Sequence, residues 1–89
     1  QHHPGLYRNG LFIPGADIHW IRPDLQLKPG EEQTMDFRIR YRQPLQKGKL
    51  IMKTEGAYIL FDQPQRGVTP GQFAAWYVEG ELLGSGVIA

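Results

Sequence analysis

The residues with the clearest chemical potential are the arginines of "MDFRIRYRQP" (35–44), which stand at 38, 40 and 42 with Ile39 and Tyr41 between them. In an extended strand successive side chains point to opposite faces, so the three guanidinium groups share one face and Phe37, Ile39 and Tyr41 the other. Same-face neighbours then lie about 7 Å apart, a spacing of the order of the phosphate repeat along a nucleic-acid strand. Arginine suits such a partner, because its planar fork of donors matches phosphate oxygens. Lys47, Lys49 and Lys53 follow on the next strand-like segment and widen the basic patch. The plainer alternative is a solvated strand whose charges keep the sheet edge soluble.

Other chemistry finds little support. His2, His3 and His19 have no recognised metal-ligand spacing, and read as surface histidines. The hydroxyls Thr34, Thr54, Thr69 and Ser85 sit in no motif that supplies a base and an oxyanion site. Glu31 and Glu32 follow a Pro-Gly turn and Asp62 precedes "QPQRGVTPG", so these carboxylates read as loop charges. Neither GxGxxG nor GxxxxGK[ST] is present. No catalytic residue and no metal site is expected in this chain.

The 89 residues fit one small domain, and 40% hydrophobic content excludes the composition of disorder. Cysteine is absent, which removes disulfides, thiolate metal sites and cysteine nucleophiles and leans towards a cytoplasmic location. No apolar run approaches the roughly 20 residues that span a bilayer, and "QHHPGLYRNG" lacks the apolar centre of a signal peptide. Net charge is only +1, but it is unevenly spread: residues 28–53 carry +4 and residues 54–89 carry −3. A basic middle and an acidic end permit an anionic partner on one side.

The elements that must position these residues are strands. Pro-Gly at 14–15, 29–30 and 70–71 marks type II turns. Glu55-Gly56 and Glu79-Gly80 read as tight hairpin connections, with Lys47-Gly48 a further candidate. Strand-like stretches fall at about 16–22, 34–43, 49–54, 57–62, 72–79 and 81–88. The expected fold is all-β, a small antiparallel six-stranded β-barrel over 16–89, preceded by an irregular lead-in segment over 1–15. Residues 72–88 read as the terminal hairpin, with Gly84 and Gly86 marking a bend or close backbone approach. Strand 72–79 is apolar on both faces, so one face fills the barrel and the other is left for a neighbouring domain. The chain has no initiating methionine; an excised domain and processing fit this equally.

Several segments resemble a known family. "FRIRYRQPLQKGKL", "ILFDQPQRGVTPGQFAAWYVEGELLGSGVI" and the opening "HHPGLYRNGLFIPGADIHWI" are similar to the C-terminal barrel of the bacterial and mitochondrial tRNA-specific 2-thiouridylases, sometimes labelled methyltransferases. The combination of "RYRQP" and "QRGVTPGQ" carries the likeness, which runs nearly end to end. Gly67 stands where the family commonly has alanine, Ser85 replaces the middle glycine of a terminal triplet, and Leu82 replaces a cysteine ahead of it. The segment from Gln43 to Tyr58 is short, which implies a trimmed hairpin.

The resemblance implies a barrel similar to the second domain of elongation factor Tu, within a multidomain enzyme. That parent would use ATP and a sulfur donor to thiolate C2 of the wobble uridine of tRNA. The chain has no "SGGVDSS"-type pyrophosphate loop and no cysteine, so it is not expected to catalyse either step alone and needs no cofactor of its own. Its implied partners are tRNA and the catalytic and central domains of the same chain, with no membrane. Arg38, Arg40 and Arg42, helped by Lys47 and Lys49, are the candidate RNA-binding residues. A purely structural interdomain module and a stand-alone translation-factor-like RNA-binding barrel are the alternatives.

Overall fold

The computed structural model describes residues 7–39 and 43–89. The chain forms β1 (Tyr7–Pro14), a 3-10 turn at Gly15–Asp17, β2 (Ile18–Trp20), a second 3-10 turn at Pro23–Leu25, β3 (Glu32–Arg38), β4 (Gln46–Lys53), β5 (Gly56–Arg66), β6 (Phe73–Val78) and β7 (Glu81–Val87). All pairings are antiparallel, in one seven-stranded sheet of order β1-β5-β4-β3-β6-β7-β2. The two edge strands, β1 and β2, are consecutive in the chain and are joined by the first 3-10 turn, so the sheet curls round and brings β7 back towards β1. Ala89 adds a bridge across the junction by donating its N–H to the Phe12 carbonyl at 3.0 Å. The fold is a small β-barrel, as expected. No helix among the described residues is long and apolar enough to cross a membrane.

The core follows the two-residue period of the strands. Met35 and Phe37, Leu50 and Met52, Ala57, Ile59 and Phe61, and Ala74 and Trp76 all point inward and are buried. Phe37 meets Phe61 edge-on at 5.7 Å and Trp20 meets the wholly buried Trp76 at 5.5 Å. Close approach explains the two glycines of β7. A Cβ on Gly84 would sit 2.8 Å from Trp76 Nε1, and one on Gly86 would sit 2.5 Å from Ile13 Cγ2.

The turns are largely as the sequence predicts. Pro29-Gly30 and Pro70-Gly71 are type II, with positive φ at both glycines and i to i+3 bonds from Glu31 to Lys28 and from Gln72 to Thr69. Glu79 and Gly80 both have positive φ, the type I′ geometry that matches strand twist.

Four expectations change. Residues 7–14 of the supposed lead-in are strand β1, which buries Leu11 and Ile13 against β5, so the barrel has seven strands. Pro14-Gly15 opens the 3-10 corner instead of a type II turn. The hairpin before β5 turns at Thr54-Glu55, one residue early. Lys47-Gly48 lies inside β4, where Gly48 faces inward and leaves room for the Phe37 ring.

Candidate nucleic-acid interface

β3 alternates inward Met35 and Phe37 with outward Thr34, Asp36 and Arg38, and it ends at Arg38. Arg38 is therefore the one arginine of the three that the structure places on this strand; Arg40 and Arg42 lie outside the described residues. On β4 the outward positions are Lys47, Lys49, Ile51 and Lys53, because Gly48, Leu50 and Met52 face the core. Antiparallel pairing sets Lys47 directly opposite Asp36, and Lys49 opposite Thr34. The expected cationic residues Arg38, Lys47 and Lys49 thus share one outer face.

That face is less positive than the sequence implies. Lys47 Nζ lies 3.0 Å from Asp36 Oδ1, and Lys49 Nζ lies 2.9 Å from Glu32 Oε1. With side-chain exposures of 61% and 48% for the two lysines, these pairs are solvent-screened. Such pairs are worth about 0–1 kcal/mol each. They lower the local charge without holding the lysines firmly, so an anion can still compete for them. The register of β3 against β4 decides this pairing, and only the D-x-R and E-x-x-x-D spacings of β3 hinted at it in the sequence.

Arg38 is held differently. Its guanidinium carbon lies 5.5 Å from the Tyr77 ring centroid on β6, within cation–π range. Its Nε is buried and has no hydrogen-bond acceptor among the described residues. The Tyr77 ring thus packs against the guanidinium and draws the arginine towards β6. Phe73, on the same outward row of β6, is 64% exposed. An arginine packed on a half-buried tyrosine, with an exposed phenylalanine on the same row, offers charge and a ring face of the kinds used in single-stranded RNA recognition.

Arg22 is committed elsewhere. It grips Asp24 with two bonds, of 3.0 and 2.8 Å, and also pairs with Glu81 at the start of β7. Its guanidinium is held above its ordinary value by the hydrogen bonds to Asp24 and then Glu81, and Asp24 is held below the usual carboxylate value by Arg22. His19 is exposed on β2, and His2 and His3 lie outside the described residues. Among the described residues no three histidine or carboxylate side chains are grouped to hold a metal ion. Thr34, Thr54, Thr69 and Ser85 are spread over β3, two separate turns and β7.

Sequence reasoning also missed a set of glutamines. Gln65 on β5 is buried, only 4% exposed, and it bonds to Gln43, which follows the arginine segment. Glutamine gives no periodic signal, and its burial depends on the tertiary fold.

Fold and surface together define a class: a small all-β barrel domain with a cation-bearing outer face. Comparison with known proteins makes this specific. The chain belongs to the aminomethyltransferase β-barrel domain family, which matches residues 12–88. It is 53% identical over 89 residues to the tRNA-specific 2-thiouridylase MnmA of Flavobacterium johnsoniae, covering 100% of this chain and 22% of that protein. It is 56% identical over 87 residues to MnmA of Christiangramia forsetii, again covering 22% of the relative, and 42% identical over 88 residues to MnmA of Shouchella clausii. The chain thus spans less than a quarter of the length of these relatives and matches their C-terminal domain, as the "RYRQP" and "QRGVTPGQ" segments imply.

Proposed function

We propose that this chain is the non-catalytic barrel domain of a cytoplasmic tRNA-specific 2-thiouridylase, and that its β3–β4–β6 outer face supports tRNA binding. The observation that carries the proposal is the similarity of the whole chain to the end of MnmA proteins, at 53% identity over 89 residues. On this reading ATP and the sulfur donor act elsewhere in the parent enzyme, which thiolates C2 of the wobble uridine. The barrel contributes phosphate contacts from Arg38, Arg40 and Arg42, with Lys47 and Lys49 joining once tRNA displaces their carboxylate partners. Such contacts position the substrate without reading its sequence.

The test is a salt titration of tRNA binding by the full-length enzyme. Replacing Arg38, Arg40 and Arg42 together by alanine should weaken binding about tenfold or more near physiological salt. It should also flatten the dependence of log K on log salt by about two units, because each lost phosphate contact removes roughly 0.7–0.9 of slope. An unchanged affinity and slope in the triple variant would reject the contact.

A second reading has its own support. Leu60 on the outer face of β5 is 47% exposed and stands near the Phe12–Tyr58 ring pair, and Phe73 is exposed on β6. These outward apolar groups suit packing against the other domains of the same chain, as strand 72–79 suggested.

A further inference from the structure

The outer face that continues from Arg38 away from β4 is set by three successive pairings. Arg38 on β3 lies opposite Ala75 on β6, Ala75 opposite Ser85 on β7, and Ser85 opposite His19 on β2. All four stand at outward positions. Their chain neighbours Phe37, Ala74, Trp76, Gly84 and Gly86 are buried, and Ile18 and Trp20 pack against the core. Strands about 4.8 Å apart put Arg38 and His19 about 14 Å from each other along the sheet, at the two ends of one row. The middle of the row is low, because alanine and serine are its smallest side chains. Phe73 and Tyr77 stand two residues to either side of Ala75 on the same face of β6, about 7 Å away along the strand. Phe73 is 64% exposed, whereas Tyr77 is half-buried against Arg38. The row is thus a shallow trough with a small floor, an exposed histidine at its far end and an open phenylalanine ring at its side.

A ring face and hydrogen-bond donors without a carboxylate suit an unpaired nucleotide. The floor and walls of the trough carry no acid. Of the acids at its margins, Asp36 is paired with Lys47 and Glu81 with Arg22, while Asp17 precedes His19 by two residues. Positive charge is therefore concentrated at the Arg38 end, which favours the phosphate backbone there and the base towards Phe73. Neutral imidazole carries one N–H donor and one acceptor, so His19 can meet a base edge without a change of charge. Paired bases are stacked on one another and cannot use such a surface. The unstacked bases of loops and ends are what aromatic-bearing sheets receive, roughly two or three at a time. Stacking accepts every base, because each has a π-face, so the trough holds a nucleotide without reading its identity.

We propose that Phe73, Ala75, Ser85 and His19 form a platform for an unpaired nucleotide of tRNA, with the base stacked on Phe73 and its edge towards His19. This rests on the reading of the β3–β4–β6 face as a tRNA-binding surface, and extends that surface across β7 to β2. Two kinds of contact then share one face: charge, which salt weakens, and stacking, which releases no counterions.

The experiment uses the full-length enzyme and fluorescein-labelled bulk bacterial tRNA, with anisotropy read across a salt series. The label is displaced by an unlabelled oligoadenylate strand or by a short RNA duplex, and each variant is melted thermally. Phe73→Leu removes the ring and should weaken tRNA and oligoadenylate binding about tenfold, the scale of one lost base–aromatic stack. Duplex competition and the slope of log K against log salt should stay as in wild type, because no phosphate contact is lost. Phe73→Trp keeps a ring face and should restore binding to within about twofold of wild type. His19→Ala should weaken oligoadenylate about threefold, again with an unchanged slope. An unaltered oligoadenylate affinity in Phe73→Leu overturns the platform. Equal losses for strand and duplex, or no rescue by tryptophan, overturn it too. A full-length melting midpoint lowered by Phe73→Leu places a protein domain on the ring and has the same consequence. If the arginine triple-alanine variant keeps its affinity and slope while Phe73→Leu weakens the strand, the arginine contact falls and the platform stands. The reverse result removes the platform alone.

Discussion

Arg22 shows what a single residue contributes here and how pH should expose it. Its fork spans Asp24 and Glu81, tying the loop after β2 to the start of β7. Asp24 is held below its ordinary value of 3.8, chiefly by the hydrogen bond from Arg22. A carboxylate with a depressed folded-state pKa contributes stability above its unfolded value, and that contribution is lost as pH falls through the folded value. Wild-type protein should therefore lose stability progressively on acidification below pH 3.8. Arg22→Ala should remove this contribution near neutrality and so flatten the acid limb, with variant and wild type converging at low pH. Urea midpoints measured from pH about 6 down to about 2 will check it, and parallel acid limbs would show that Asp24 is not the titrating group. The pairing is exposed, so its effect should also shrink with added salt.

At the scale of elements, the clearest local tension is in the hairpin between β6 and β7. The type I′ loop needs positive φ at both central residues, and Glu79 supplies the first at φ 51. A side chain with a Cβ and no local hydrogen bond pays for this left-handed conformation, whereas asparagine tolerates it. Glu79→Asn should therefore stabilise the barrel by about 0.5–1 kcal/mol, seen as a raised urea midpoint with unchanged m-value. This hairpin was legible because Glu79-Gly80 lies between two apolar arms, and the Pro-Gly turns at 29–30 and 70–71 were legible for the same kind of reason. β1 was not. "YRNGLFIP" has a glycine inside and a proline at its end, and the register shift between Arg8 and Gly10 interrupts its pairing. Its strand character comes from β5 across the sheet, a partner that local sequence does not reveal. The candidate site divides similarly. The arginine-lysine band was readable as composition, but the neutralising Asp36 and Glu32 depend on the β3–β4 register, and the Gln43–Gln65 bond depends on three strands converging.

For the molecule as a whole, four large apolar side chains are exposed among the described residues, Ile21 and Leu25 around the second 3-10 turn and Leu60 and Phe73 on strands. Leu60 is 47% and Phe73 64% exposed, one on the outer face of β5 and the other on β6. Within the 89-residue chain they cover little, so Leu60→Ser and Phe73→Ser should each change its stability by no more than about 0.5 kcal/mol. The relatives that share this barrel are more than four times its length, at 22% coverage. If the remainder of such a protein packs on either face, burial of the side chain there is worth about 1.5–3 kcal/mol. The same substitution should then lower the full-length melting midpoint or split its transition in two, while leaving the isolated barrel unaffected. Parallel melts of the two lengths decide the matter for each face. A substitution that is silent in both lengths leaves its face open to solvent or to the proposed RNA contact. A loss confined to the full-length protein marks that face as the seat of a neighbouring domain. Applied to Phe73, the result also bears on the cationic patch beside it: a face already covered by protein has no room for nucleic acid, so a full-length loss at Phe73 would confine the proposed RNA contact to the Lys47–Lys49 side of Arg38.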